Sequence, residues 1–199
     1  NGGAPTLIGE FGIPYDLNDG DSFRLWAAGS RGPQVWKAQT QALRLAYDVL
    51  DELLLSSTQW NYTAANRNDL RIGDGWNQED LSVFSYDQVE AGSDGGRAIE
   101  GFCRPYVRRT QGTLLSMRYD GSLASLAFEL HADPGIDAPT EVFIPRWLCQ
   151  EPRVELTPGG HWHYTADAQC VLIRARQAGT LKALIHLKSG ATQERRLAG

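Results

Sequence analysis

Residues 5–18 read PTLIGEFGIPYDLN, a short apolar run that ends in a carboxylate set between two glycines. Thr6, Leu7 and Ile8 have the composition of a buried strand, and Gly9, Gly12, Pro14, Asp16 and Asn18 are turn formers that stop it at once. Glu10 therefore stands near the C-terminal end of a strand. In a parallel α/β barrel, side chains at that end point into the mouth where the chemistry takes place. A Glu at a strand end making an ordinary surface salt bridge fits the pattern equally well.

Working outward, residues 12–33 are rich in turn formers, and helical spacing begins at Pro33, a residue suited to a helix start. Val35, Trp36, Ala42, Leu43, Ala46, Tyr47, Leu50 and Leu54 recur at steps of three and four, predicting a helix over 33–53. SSTQWNY (56–62) is a second strand ending in aromatics. It opens into a polar loop, AANRNDLRIGDGWNQEDLSVFSYDQ (64–88), in which Trp76, Leu81 and Phe84 favour an ordered, functional segment. A second helix is expected over 95–106. Strand, helix, strand, helix, with long loops after the strands, is the rhythm of a (β/α) barrel.

Past Gly112 the texture changes to short alternating runs: LLSMRYD, SLASLAFEL, TEVFIPRWL, RVELTP, HWHYTA, QCVLIRA and LKALIHLK. Turn signals such as Asp120-Gly121 and Asp133-Pro134-Gly135 separate most of them, which predicts an antiparallel β-sandwich over 113–199. The fold class is thus α/β plus all-β. A closed barrel needs eight βα units and about 250 residues, whereas residues 1–112 supply two. The first part is read either as the last two units of such a barrel or as a different α/β arrangement.

The bulk numbers fit one or two small soluble domains: 199 residues, 42% hydrophobic and 22% charged, with a net charge of −5. Residues 1–100 carry 7 basic and 15 acidic side chains, and 101–199 carry 12 and 9. An acidic first half without a basic, aromatic-interleaved face argues against nucleic acid as a partner. There is no apolar run long enough to span a membrane and no signal-peptide pattern. Cys103, Cys149 and Cys170 are odd in number and widely spaced, the pattern of buried thiols.

The four stretches PTLIGEFGIPYDLN, TQWNY, GDGWNQEDLSVFS and GGRAIEGFCRPYV, in this order and followed by a β-sandwich, resemble the C-terminal portion of glycoside hydrolase family 5. The similarity points to its glycolipid-active branch of endoglycoceramidases, glucosylceramide and steryl glucoside β-glucosidases. It implies that Glu10 is the nucleophile ending the seventh barrel strand and Trp60 a sugar-stacking platform ending the eighth. Both roles make physical sense, since a retaining glycosidase attacks the anomeric carbon with one carboxylate and the apolar face of a sugar packs on an indole. Within WNQEDLS, where the family has WNGEDLS, Gln78 replaces the glycine. Asn77, Glu79 and Asp80 are sugar-hydroxyl candidates, with a loop held by its own hydrogen bonds as the equal alternative. Tyr15 and the 62–86 loop are placed on the aglycone side by position alone.

The resemblance also marks an absence. The family takes its acid/base from an Asn-Glu pair after the fourth strand, and this chain has no such dipeptide. The implied parent is a retaining β-glycosidase acting on a β-glucoside or glycolipid, without cofactor. It would also need a missing N-terminal barrel segment, on the same parent chain or a separate one. The 199-residue chain alone is expected to be inactive, and the sandwich could contact lipid aggregates peripherally. The alternatives are a noncatalytic fragment and a carbohydrate-binding sandwich module that uses Trp147 and Trp162. Three further signals are read as chance: the His161/His163 pair as a metal site, DLNDGD (16–21) as a calcium loop, and Asn61-Tyr62-Thr63 as a glycosylation sequon.

Overall fold

A computed structural model of the chain describes residues 5–75 and 79–187. Two compact units are present, one of residues up to 50 together with 55–103, the other of 51–54 together with the residues from 104 onward. Among the described residues no helix is long and apolar enough to cross a membrane.

The first unit begins with β1 (Leu7–Phe11), followed by α1 (Leu17–Ala27), a 3-10 turn (Pro33–Trp36), α2 (Lys37–Glu52) and β2 (Ser56–Gln59). β1 and β2 pair in parallel, Leu7 with Ser56 and Phe11 with Gln59, so α2 is part of the crossover that a parallel pair requires. The expected helix over 33–53 is thus present, with its first turn tightened to 3-10 geometry. Neither strand has a fully buried residue, and Leu7 is 60% exposed. Parallel sheets are ordinarily covered on both faces. On α2, Leu45 and Val49 are 68% and 51% exposed, an apolar i, i+4 pair facing outward.

Three elements of this unit differ from the sequence expectation. The turn-rich stretch 12–33 contains α1, whose opening residues Asn18, Asp19 and Gly20 have φ of 57°, 55° and 76°. Asn, Asp and Gly are the residues that tolerate this left-handed region, so the segment reads as a turn although a helix follows it. The Arg24 guanidinium bonds back to the carbonyls of Asn18 and Asp19, fixing the irregular turn. The loop after β2 contains α3 (Tyr86–Glu90), and the expected helix over 95–106 contracts to α4 (Ile99–Phe102). Pro105 disfavours helical backbone at Arg104, and the chain turns into a strand instead. A buried cluster of Tyr15, Phe23, Val35, Trp36, Leu43 and Ala98 forms this unit's core.

The second unit consists of two four-stranded antiparallel sheets, in agreement with the expected sandwich pattern. One has the order β4 (Gly112–Asp120), β5 (Ser125–Ala132), β10 (Gly179–His186), β7 (Arg153–Leu156). The other has the order β3 (Tyr106–Arg109), β6 (Thr140–Phe143), β9 (Cys170–Ala175), β8 (Gly160–Thr165). β3, where no strand was expected, begins at Tyr106, where the stretch read as helix ends. The period-two alternation puts Leu126, Phe128 and Leu130 of β5 on the same side as Leu181, Ala183 and Ile185 of β10, and Val142, Val171 and Ile173 of the other sheet join them in one core.

Candidate active site

β1 and β2 end side by side. The Trp60 backbone N–H, one residue past β2, donates to the Phe11 carbonyl at 2.7 Å, and the Thr58 hydroxyl donates to the Gly9 carbonyl. Glu10, the residue before Phe11, and Trp60 therefore stand at the C-terminal ends of two adjacent parallel strands. Glu10 is exposed, and its carboxylate is in no ion pair with a described residue. Trp60 is half-buried, and its peptide bond to Asn61 is cis. Gly12 explains how close the two ends come: a Cβ there would lie 2.6 Å from the Trp60 carbonyl oxygen and 2.6 Å from Leu81 Cδ2. The second glycine of IGEFG is thus a requirement of packing against the next strand's exit.

The loop after β2 folds back on that exit. Asn61 exchanges backbone bonds with Leu81 and Val83, at 3.2 Å and 2.9 Å. Its side-chain Nδ2 donates to Asp74 at 2.7 Å, and the Leu81 N–H donates to the same carboxylate oxygen at 3.3 Å. The amide nitrogen that a glycan would need is therefore engaged, so the sequon does not describe a free acceptor.

Arg97 ties these loops together. It is fully buried, donates to both oxygens of Asp80, one at 2.9 Å, and reaches the Ser82 carbonyl from Nε at 3.1 Å and Asn68 Oδ1 at 3.2 Å. Its guanidinium lies 3.9 Å from the centre of the Tyr15 ring. Tyr15 closes the circuit, its hydroxyl donating to the Arg97 carbonyl at 3.0 Å and its N–H to the Asp80 carbonyl at 2.7 Å. Burial pushes the Tyr15 phenol well above the usual tyrosine range; the Arg97 cation opposes that shift and the Asp80 carboxylate adds to it. From α2, Gln39 donates to the Tyr15 carbonyl at 2.8 Å.

This arrangement corrects two readings. Tyr15 was expected on the aglycone side, but it is wholly buried and packs edge-on against Trp36, so none of its surface is available to a ligand. Asp80, a sugar-hydroxyl candidate, is instead the buried counter-ion of Arg97, which favours the loop held by its own hydrogen bonds. Glu79 is exposed, with its carbonyl accepting from the Asp74 N–H at 2.7 Å. Asn77, with Trp76 and Gln78, lies outside the described residues. Arg97 was missed as an individual residue. Its signal was an arginine between a glycine pair and an apolar run, in a stretch that matched a motif without any assigned role.

On the sandwich, Trp162 stands opposite Ile173 in the neighbouring strand and is 38% exposed, and Trp147 is 49% exposed. His161 and His163 pair with Arg174 and Leu172 on the opposite side of that strand. No three His, Cys, Asp or Glu side chains converge among the described residues.

Residues 104–186 match the glycoside hydrolase family 5 C-terminal domain. Among curated proteins, a glucosylceramidase of Cryptococcus neoformans var. grubii is 29% identical over 192 residues, covering 86% of this chain and 24% of the relative. A glucosylceramidase of Rhizopus delemar is 29% identical over 160 residues, covering 72% and 22%. The chain thus spans about a quarter of the length of these relatives. Among solved structures, sterylglucosidase 1 of Cryptococcus neoformans superposes with a TM-score of 0.79 at 24% identity, covering 95% of this chain and 30% of that one. Endo-glycoceramidase II of Rhodococcus sp. gives 0.63 at 15% identity, covering 94% and 34%. The resemblance to family 5 read from the motifs is therefore shown, by the family match over residues 104–186 and the similarity to proteins named glucosylceramidase, and the likeness in fold covers 94–95% of the chain.

Proposed function

We propose that this chain is the C-terminal portion of a retaining β-glycosidase that acts on a glycolipid or related β-glucoside. In this reading residues 1–112 are the last two units of a (β/α)8 barrel and 113–199 its sandwich. One observation carries it: an exposed carboxylate, Glu10, with no ion pair among the described residues, stands at the end of one strand of a parallel pair and an indole, Trp60, at the end of the other. The bare faces of β1, β2 and α2 support the barrel, because they are the surfaces that further βα units would cover. The similarity to glucosylceramidases supports the substrate class.

Glu10 attacks the anomeric carbon and forms a glycosyl ester while the bond to the aglycone oxygen breaks. A second carboxyl, about 5–5.5 Å away in retaining enzymes, gives that oxygen its proton and then takes one from the water that hydrolyses the ester. It comes from the part of the parent that precedes this chain. Trp60 holds the apolar face of the sugar, Glu79 and Asn77 serve its hydroxyls from the same loop, and no cofactor takes part. Arg97, Asp80 and Tyr15 fix the loop from beneath. The sandwich, with Leu115 and Leu123 exposed, meets lipid aggregates peripherally.

The test is hydrolysis of an aryl β-glucoside by the natural polypeptide containing these residues. Glu10→Gln is expected to lower kcat at least about 1,000-fold with an unchanged circular dichroism spectrum. The 199-residue chain by itself is expected to be inert. Unchanged turnover in Glu10→Gln removes the assignment.

A further inference from the structure

A cavity of about 200 Å3 opens in the first unit between the 3-10 turn, the start of α2 and the stretches around α3 and α4. At roughly 30 Å3 per water it has room for more than one or two solvent molecules. Neither Glu10 nor Trp60 lines it. Its walls include two polar side chains that are almost wholly buried, Gln88 (7% exposed) and Thr40 (8%). No hydrogen bond joins the Gln88 carboxamide or the Thr40 hydroxyl to a described residue, and the Trp36 indole N–H is buried without a partner there, although buried polar groups are nearly always paired. Apolar surface adjoins them at Trp36, Pro33 and Ile99.

The charged groups at the cavity are already engaged. Arg31 donates to the carbonyls of Trp26 and Ser30 at 2.9 Å and 2.7 Å and lies 3.8 Å over the Trp26 ring. Glu100 is paired with Arg44 at 3.0 Å, and Asp94 accepts from the Gly96 N–H at 3.0 Å. Arg31 and Asp94, neither in an ion pair with a described residue, put one charge of each sign at the cavity, so its lining favours neither an anion nor a cation. Besides these the lining offers one carboxamide and one hydroxyl, each able both to donate and to accept, and the Trp36 indole N–H, a donor, beside an apolar wall. A hydroxyl-bearing molecule has the matching capacity, because each of its O–H groups also does both, while its C–H groups suit the indole and the isoleucine.

We propose that this cavity is a binding site for a small neutral polyol, up to the size of one sugar ring, held by the Gln88 carboxamide and the Thr40 hydroxyl. The site is independent of the chemistry assigned to Glu10. The experiment uses the natural polypeptide labelled with 15N at tryptophan, titrated separately with glycerol and with glucose. The Trp36 indole resonance is identified by its loss in Trp36→Tyr. It is expected to shift saturably with at least one polyol. Gln88→Leu and Thr40→Val are each expected to weaken that response about threefold to tenfold, leaving hydrolysis of an aryl β-glucoside unchanged. Crystals equilibrated with the same polyol give a reading that does not depend on the resonance assignment, with density expected within hydrogen-bond distance of Gln88. An indole resonance unmoved by either compound, a response unaltered by both substitutions, or a cavity holding only water overturns the proposal.

Discussion

Truncating Arg97 would leave the Asp80 carboxylate buried without a counter-charge, a change that typically costs about 3–5 kcal/mol. Arg97→Met is expected to lose stability of that order in urea unfolding. Arg97→Met with Asp80→Leu should recover part of it, since the second change removes the stranded charge; an equal or greater loss in the double variant would show that the pair is not the relevant unit. Tyr15 gives a pH signature at the same locus. Its folded pKa is raised by burial, so its contribution is fully present below the ordinary tyrosine value of about 10. It declines as pH rises above that value, because the unfolded chain ionises while the folded one resists. Tyr15→Phe should therefore flatten the fall in stability between about pH 10 and 11, and an unchanged slope would contradict that account. At this scale the sequence was only partly legible. Glu10 and Trp60 stood out because strand ends can be read locally. Tyr15 and Asp80 were misread because their roles depend on Arg97, which is 82 residues from Tyr15 and 17 from Asp80 in the chain.

Among the elements, the contact between the ends of β1 and β2 leaves no room for a side chain, since a single methyl group at Gly12 would press on both the Trp60 carbonyl and Leu81. Gly12→Ala is expected to destabilise by about 1–3 kcal/mol and to reduce glucoside hydrolysis by displacing Trp60, whereas Gly9→Ala, with nothing within 4 Å of its added methyl, should leave packing intact. Equal losses in the two variants would argue against this contact. Seven of the sandwich strands were legible in the sequence, with bounds off by up to five residues at β6, because alternation with one buried face is a signal carried by each strand alone. β3 was not, since Tyr106–Arg109 is four residues long and follows a helical stretch directly. α1 was hidden for the opposite reason: its left-handed opening uses the residues that mark turns, and only Arg24, bonding back to those carbonyls, shows that the irregular segment leads into a helix.

For the whole molecule, the two units predict distinct responses to unfolding. Cys149 and Cys170, in the sandwich, are buried, and burial pushes both thiols above the usual cysteine range. Cys103, in the first unit, is partly accessible. Thiol labelling near neutral pH should modify Cys103 first and reach Cys149 and Cys170 only as the sandwich opens; simultaneous labelling in native buffer would contradict the buried placement. The proposal that further βα units complete a barrel began from the count of two units in the sequence, and the exposed faces of β1, β2 and α2 are surfaces such units would cover. The direct test of the central claim is covalent trapping. The natural polypeptide is treated with an activated 2-deoxy-2-fluoro-β-glucoside, which slows hydrolysis of the glycosyl ester, then digested, and the labelled peptide is sequenced by mass spectrometry. The account predicts one added sugar, esterified to Glu10. A label on any other carboxylate, or turnover of a β-glucoside substrate with no trapped ester, would contradict it.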